Sequence, residues 1–373
     1  MKKILLSANT SWYLYNFRAS TIKALQEKGF DVVCLSPQDA YSHRLTQELN
    51  CKWVDISIDS NGSNVIKDAI LLCRFILKIR NIAPSLVFNF TVKNNIYGTI
   101  AARFLGIEVV NNISGLGTAF IKENITSKVV RLLYKISQPL AKKVFCQNPE
   151  DLDTLMDSKL VHPNKLVLLP GSGVDINRFN PNLKEVNNGS QVFCFTFVGR
   201  LLRDKGVIEL IQATQQLAKL GYSFQLDLCG FIGSNNASAI NINYLKEICS
   251  LPYINWLGSS DKIEEVFSKS DCVVLPSYRE GMPRVLLEAG AMGLPSITTN
   301  VPGCKHLITH GYNGLICDVK DSESLFKSML IMLNMESEQY LKMCKNSRSN
   351  IERNFDENIV ISHYLKYARE SPG

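Results

Sequence analysis

The stretch from Ser270 to Thr299 constrains the fold of this chain more than any other. Asp271 to Leu275 is a short apolar run closed by Pro276 and Ser277, which is how a buried strand reads. Gly281 permits a tight backbone, and Pro283 suits the first turn of a helix, where its missing N–H would be unpaired anyway. Arg284 to Met292 carries helical spacing, with Val285, Leu286, Leu287 and Ala289 apolar, and Gly293 and Pro295 end it. Strand, loop, helix and strand in succession aim a helix N-terminus at whatever lies above the strand ends, the place where anions bind in α/β sheets.

Two carboxylates frame that terminus. Glu280 precedes the helix and Glu288 lies about a turn inside it. A helix N-terminus attracts an anion, and an acid on each side accepts hydroxyl hydrogen bonds. The combination suits a ligand with phosphate and many hydroxyls, such as a nucleotide sugar. The same spacing also describes a solvated loop acid and a favourable first-turn charge.

The run Glu280-Gly-Met-Pro-Arg-Val-Leu-Leu-Glu288 resembles the E-x7-E motif of retaining glycosyltransferases of family 4, and the flanks from Leu275-Pro-Ser through Gly293-Leu-Pro resemble that family too. Within it the chain is most similar to bacterial enzymes that extend polyprenyl-diphosphate-linked sugars. The likeness covers nearly the whole chain, with specific motifs in the second half and looser ones in the first. It implies an α/β chain of the GT-B fold, two Rossmann-like domains facing a central cleft. The expected organisation is an acceptor domain over 1–180, a nucleotide-sugar domain over 190–350, and a C-terminal helix over 351–373 that crosses back to the first domain. Asn180 to Gln191 reads as the linker.

Length and composition agree. A chain of 373 residues is too long for one ordinary core and suits two α/β domains. It is 46% hydrophobic and 20% charged, so large cores can form. It contains no uncharged apolar run of roughly 18 residues, so no membrane-spanning helix is expected. Lys2-Lys3 followed by Ile-Leu-Leu reads as a first strand rather than a signal peptide. The expected location is cytoplasmic, peripheral on the inner face of the plasma membrane. Eleven cysteines are scattered singly without metal-ligand spacing, and His306 and His310 lack other ligand types beside them. No metal site and no cofactor are expected. The net charge of +7 fits an anionic membrane or an acidic substrate. No interleaved basic and aromatic motif points to nucleic acid.

In the first half, Ile4–Ser7, a helix over Phe17–Lys28 and a strand over Val32–Leu35 form a β-α-β unit, with Asn9 to Arg18 read as a polar and aromatic loop. Many relatives place a glycine pair in that loop, whereas this chain has Asn16-Phe17-Arg18. The resemblance assigns Asn16 and Arg18 to the acceptor, Arg18 toward its diphosphate. The other reading of Arg18 is a charge on the first helical turn. In the strand-end loop Thr91-Val-Lys-Asn94, Lys93 or Thr91 stands where relatives carry a sugar-contacting histidine. Gly115-Leu-Gly117 lets an acceptor approach the backbone or forms a simple turn. From Asn124 to Pro149 there is no acid, but Lys128, Arg131, Lys135, Lys142 and Lys143. Val129, Leu132, Leu133 and Ile136 form a helical stripe beside Lys128, Arg131 and Lys135. Such a helix suits an anionic membrane surface, or it packs its stripe in the core. The basic helix at 65–82 adds to the membrane reading.

In the second half a strong strand over Val192–Val198 leads into Gly199-Arg-Leu-Leu-Arg-Asp-Lys-Gly206. Arg200 and Lys205 resemble the paired cations that hold the donor diphosphate in the family. A leaving diphosphate gains negative charge as the glycosidic bond breaks, so cations fixed there favour the transition state. The resemblance implies that Arg200, Lys205 and Glu280 carry the chemistry. It places Gly199, Gly258, Gly281, Met282, Pro283, Val285 and Glu288 around the donor, with Glu280 on the transferred sugar and Glu288 on the ribose. Three rival readings are a nucleotide-sugar epimerase of the same fold, a non-catalytic nucleotide-sugar binder, and a Rossmann oxidoreductase. The last wants G-x-G-x-x-G after the first strand, which Asn9 to Arg18 lacks.

Overall fold

A computed structural model describes residues 1–59, 64–116, 120, 125–184, 192–232 and 238–372. The chain forms two compact units, Met1–Ser172 with Asn358–Gly373, and Gly173–Glu357.

The first unit holds β1 (Lys3–Ser7), β2 (Asp31–Ser36), β3 (Lys52–Asp55), β4 (Leu86–Phe90), β5 (Glu108–Ile113), β6 (Lys143–Cys146) and β7 (Leu166–Leu168). They lie parallel in the order β3-β2-β1-β4-β5-β6-β7, with Leu5 of β1 opposite Val33 and Val87. Alternate strand residues face opposite sides, so a sheet covered on both faces needs near-continuous apolar strands. Leu5, Val33 and Val87 enter one core, under α3 (Val65–Ile82), α4 (Thr99–Phe104) and α5 (Ile125–Ser137). Ile4, Leu6, Val32 and Phe88 enter the other, under α1 (Ser11–Glu27) and α2 (Ser42–Gln47). The helix α6 (Pro149–Asp157) follows β6.

The first helix differs from the sequence expectation. It begins at Ser11 rather than Phe17, because Thr10 caps it by accepting the Tyr13 N–H at 3.1 Å. Asn16, Phe17 and Arg18 are therefore mid-helix. The aromatic run Trp12, Tyr13, Tyr15 and Phe17 obscures the helical period, which shows in the buried positions Leu14, Arg18, Ile22 and Leu25. After β4, a π-helical turn spans Asn94–Gly98 before α4. Thr91, β-branched, sits at φ +70°, a strained conformation of the kind stored at functional sites.

The second unit holds β8 (Cys194–Val198), β9 (Gln225–Cys229), β10 (Ile254–Gly258), β11 (Cys272–Leu275), β12 (Ser296–Thr299) and β13 (Gly314–Cys317). These are also parallel, in the order β10-β9-β8-β11-β12-β13. Its helices are α7 (Val207–Lys219), α8 (Ile242–Ile248), α9 (Ile263–Phe267), α10 (Arg284–Ala291), α11 (Ser322–Leu333) and α12 (Ser337–Asn354). Phe195, Phe197, Leu210, Leu228, Val273 and Leu287 are among its core residues.

The last helix, α13 (Glu357–Glu370), packs Val360, Tyr364, Tyr367 and Ala368 into the first unit's core beside Phe88, Phe90 and Phe145. The passage between units falls at Ser172–Gly173, earlier than the polar stretch at 180–191. Asn180–Leu183 belongs to the second unit, where Pro181 lies close to Gly293. Residues 185–191 lie outside the described residues. Among the described residues no helix is long and apolar enough to cross a membrane.

Candidate active site

Within the second sheet the strand order reverses between β8 and β11. Open parallel sheets leave a crevice at the carboxyl ends of such a pair, because the following chains depart to opposite faces. The loop after β8 carries Gly199, Arg200 and Lys205. The loop after β11 carries Ser277, Tyr278, Glu280, Gly281, Met282 and Pro283. Topology therefore brings together two segments about eighty residues apart in sequence.

The two loops are joined at three points. The Lys205 ammonium and Glu280 Oε1 form an ion pair, and Ser277 Oγ donates to the same oxygen at 2.7 Å. The Tyr278 N–H donates to the Asp204 carbonyl at 2.9 Å. Gly206, at φ +73°, lies so close to Pro276 that a Cβ would sit 2.1 Å from the proline carbonyl oxygen. Only glycine serves there, on both counts. On the far side Gly303 does the same against Gly281, where a Cβ would sit 2.3 Å from the carbonyl oxygen.

The helix behind the loop is α10. Pro283 is its N-cap with φ −72° and ψ 116°, and it makes no side-chain cap bond. No side chain caps this terminus, and its Leu286 N–H donates to the Pro283 carbonyl at 3.1 Å. Val285 is half-buried in that turn. Glu288 is buried at 9% exposure and accepts from Arg284 Nε at 2.7 Å. Burial pushes its carboxyl above the usual carboxylate range, against the opposite pull of Arg284 and Arg178. Arg200 is exposed, and among the described residues its guanidinium has no ion-pair partner. Gly258 ends β10 at φ +69° and accepts the Gly230 N–H at 2.6 Å. Of the expected donor residues, the structure thus joins Lys205 to Glu280 directly and pairs Glu288 with Arg284.

The expected acceptor residues all belong to the first unit. Arg18 is 1% exposed, its guanidinium 4.5 Å from the Phe90 ring centroid, 5.5 Å from Tyr364 and 5.8 Å from Tyr13. It donates to the Tyr13 hydroxyl at 3.2 Å, while Nε and Nη1 have no hydrogen-bond partner. It is a core residue of α1, not a first-turn surface charge. A guanidinium buried without a carboxylate costs several kcal/mol, only partly offset by the rings. Asn16 donates to the Trp12 carbonyl at 3.0 Å. Lys93 is held by Asp68 of α3 at 2.7 Å, so its charge is already paired. Gly115 leads into Leu116, whose N–H donates to the buried Asp151 at 3.1 Å. Gly117 lies outside the described residues.

The sequence does not single out Ser277, Tyr278 or Arg284, nor the close approach of Gly206 to Pro276 and of Gly303 to Gly281. Arg284 was within its reach, four residues before Glu288 on one helix face. The others depend on which strand ends are neighbours. Among the described residues no group of three His, Cys, Asp or Glu side chains is placed to hold a metal.

Comparison with known proteins gives the class. Residues 180–350 match the family of glycosyl transferases group 1, and residues 3–148 match the family described as glycosyl transferase 4-like. The chain belongs to these glycosyltransferases and has their GT-B fold of two Rossmann-like domains.

Among its relatives is the N,N'-diacetylbacillosaminyl-diphospho-undecaprenol alpha-1,3-N-acetylgalactosaminyltransferase of Campylobacter jejuni, 26% identical over 95% of this chain and 94% of that one. Another is the UDP-Gal:alpha-D-GlcNAc-diphosphoundecaprenol alpha-1,3-galactosyltransferase of Escherichia coli, 29% identical over 80% of this chain and 78% of that one. The crystal structure of Anabaena HepE with UDP superimposes with a TM-score of 0.79 at 16% identity, covering 99% of this chain and 100% of that one.

Proposed function

We propose that this chain moves a hexose or N-acetylhexosamine, with retention, from a uridine-diphosphate-linked donor to a saccharide carried on a polyprenyl diphosphate in surface-polysaccharide or glycan assembly. The observation that carries this reading is the Lys205–Glu280 pair at the strand-order reversal, in front of the uncapped α10. Cation, carboxylate and helix N-terminus meet there, which are the groups a sugar diphosphate needs. The names of the Campylobacter and Escherichia relatives support the acceptor class, and the UDP complex of the Anabaena protein supports the donor.

In this reading Arg200 and Lys205 hold the diphosphate, the backbone N–H groups of Gly281, Met282 and Val285 add donors, and Pro283 shapes the turn between them. Glu280 orients the sugar, Glu288 takes the ribose hydroxyls, and Gly199 and Gly258 give the nucleotide room. The acceptor hydroxyl oxygen bonds to the anomeric carbon as the carbon–phosphate oxygen bond breaks on the same face. The leaving phosphate takes the proton, so no separate protein base is required. Arg18, with Nε and Nη1 unpartnered, Asn16 and Gly115 serve the acceptor, as does Gly117, which lies outside the described residues. Lys93, paired with Asp68, contributes by fixing the loop after β4.

The reading also puts the chain on an anionic membrane surface. On α5, Val129, Leu132 and Ile136 are 43%, 57% and 52% exposed, beside exposed Lys128 and Lys135. Arg131 is half-buried and donates to the Phe120 carbonyl at 3.2 Å, so it holds the helix more than it faces outward.

The test is a mass-spectrometric screen of nucleotide sugars against polyprenyl-diphosphate saccharides, run beside Lys205→Ala. One productive pair is expected, and the variant should lose about 10²- to 10³-fold in turnover with an unchanged melting temperature. Turnover near that of the unaltered protein would remove Lys205 from the chemistry.

A further inference from the structure

The loop after β11 is fastened by a residue two positions before Glu280. Tyr278 donates its hydroxyl to Glu209 Oε1 at 2.6 Å, and Glu209 stands on the first turn of α7. The Tyr278 N–H donates to the Asp204 carbonyl at 2.9 Å, and the Lys320 ammonium lies 5.0 Å from its ring centroid. The second oxygen of Glu209, Oε2, is buried with no hydrogen-bond partner, and among the described residues Glu209 has no ion pair. A half-buried carboxylate held by one phenol is poor economy for stability alone. Its position gives it another use. Asp204 and Lys205 are neighbours, and Tyr278 and Glu280 are two apart, so whatever fixes Tyr278 on α7 also fixes where the Lys205 and Glu280 side chains start.

We propose that Tyr278 and Glu209 are positioning residues that hold the diphosphate-binding loop and the sugar-binding loop in register. The proposal rests on the function proposed above and adds two residues to it. Burial and the Glu209 carboxylate keep the Tyr278 hydroxyl well above its ordinary titration range, so it stays protonated and keeps donating. A loop displaced by a fraction of an ångström still offers its charges to a bound nucleotide. It aligns them less well with the charge that develops as the bond breaks, so the loss falls on kcat rather than on donor KM.

The experiment compares Tyr278→Phe, Glu209→Leu, their double variant and Glu209→Gln in the full chain. Kinetics use the donor and acceptor pair from the screen, and amide hydrogen exchange is followed over 276–283 without ligand. Tyr278→Phe and Glu209→Leu should each lower kcat by about 10- to 100-fold with donor KM within about twofold. The double variant should be no worse than either alone, because one bond is lost in all three. Glu209→Gln keeps an acceptor oxygen and should restore most of the rate. Exchange over 276–283 should rise in the first three variants while that of α10 stays the same. Unchanged exchange in the loop sinks the proposal whatever the activity, and so does a looser loop with unaltered kcat. Absence of transfer by the unaltered protein overturns the function and leaves the exchange result to decide the latch.

Discussion

At Lys205 and Glu280, two charges that different parts of a ligand would claim neutralise one another. A diphosphate competes with Glu280 for the ammonium, and a sugar hydroxyl competes with Lys205 for the carboxylate. Under the proposed function the pair is a resting arrangement that a donor must open. Ser277 still holds the Glu280 side chain at 2.7 Å, so the acid's place does not depend on the lysine. Glu280→Gln should keep that bond, free the ammonium and remove a negative charge beside the phosphates. Nucleoside diphosphate binding, measured by calorimetry with UDP, should tighten by about 1 kcal/mol, roughly fivefold, while transfer falls. Weaker UDP binding by the variant would show that the acid helps the nucleotide rather than competing with it.

At the scale of elements, the informative pieces are helices whose exposed faces break the usual rule. The exposed apolar positions of α3 are Val65 at 80%, Ile66 at 72%, Ile70 at 47% and Leu77 at 60%, interspersed with Lys67 and Arg74. Phe104, at the end of α4, is 75% exposed, and α4 packs on α3. The sequence left open whether the α5 stripe lies in the core. Of its four members Leu133 packs against the core, while Val129, Leu132 and Ile136 lie outward. A patch that mixes apolar side chains with cations fits an anionic bilayer, where each basic residue adds about 1 kcal/mol, though Lys67 is paired with Asp59. Replacing Lys128 and Lys135 with Glu should release the protein from phosphatidylglycerol vesicles in a sedimentation assay. The rate with a short-chain, water-soluble acceptor should not change. Undiminished vesicle binding would assign the face to something other than lipid.

For the whole molecule, the last sixteen residues complete the fold of the first unit. Tyr364 is fully buried against Phe88, Phe90 and Phe145, and its hydroxyl accepts from Asn112. It is also one of the three rings around Arg18. Removal of residues 358–373 should therefore destabilise the first unit by several kcal/mol, through lost burial and through further exposure of an unpaired guanidinium. The second unit's own core is complete without them. Hydrogen exchange should show loss of protection across β1, β4 and β6, while UDP still protects the loops at 199–206 and 276–283. Protection retained in the first unit would make the helix an accessory.

Much of this was legible in the chain alone. Alternating apolar runs and helical spacings gave two parallel α/β units, because burial on both faces of a sheet writes itself into consecutive residues. Gly206, Pro276, Pro283 and Gly293 marked the loops, since tight backbone limits the residue types allowed. The candidate donor residues were legible through the resemblance of two short segments to the family's motifs, while their spacing alone left a plain surface role open. The pairing of Lys205 with Glu280, the fastening of Tyr278 to Glu209 and the burial of Arg18 among three rings were not legible, nor was the start of α1 at Ser11. Those depend on which strand ends become neighbours and which helix covers them. Strand order is set by the packing of whole elements, and no local pattern encodes it. The sequence determined which groups are present and on what kind of element, and only the tertiary structure decided which of them meet.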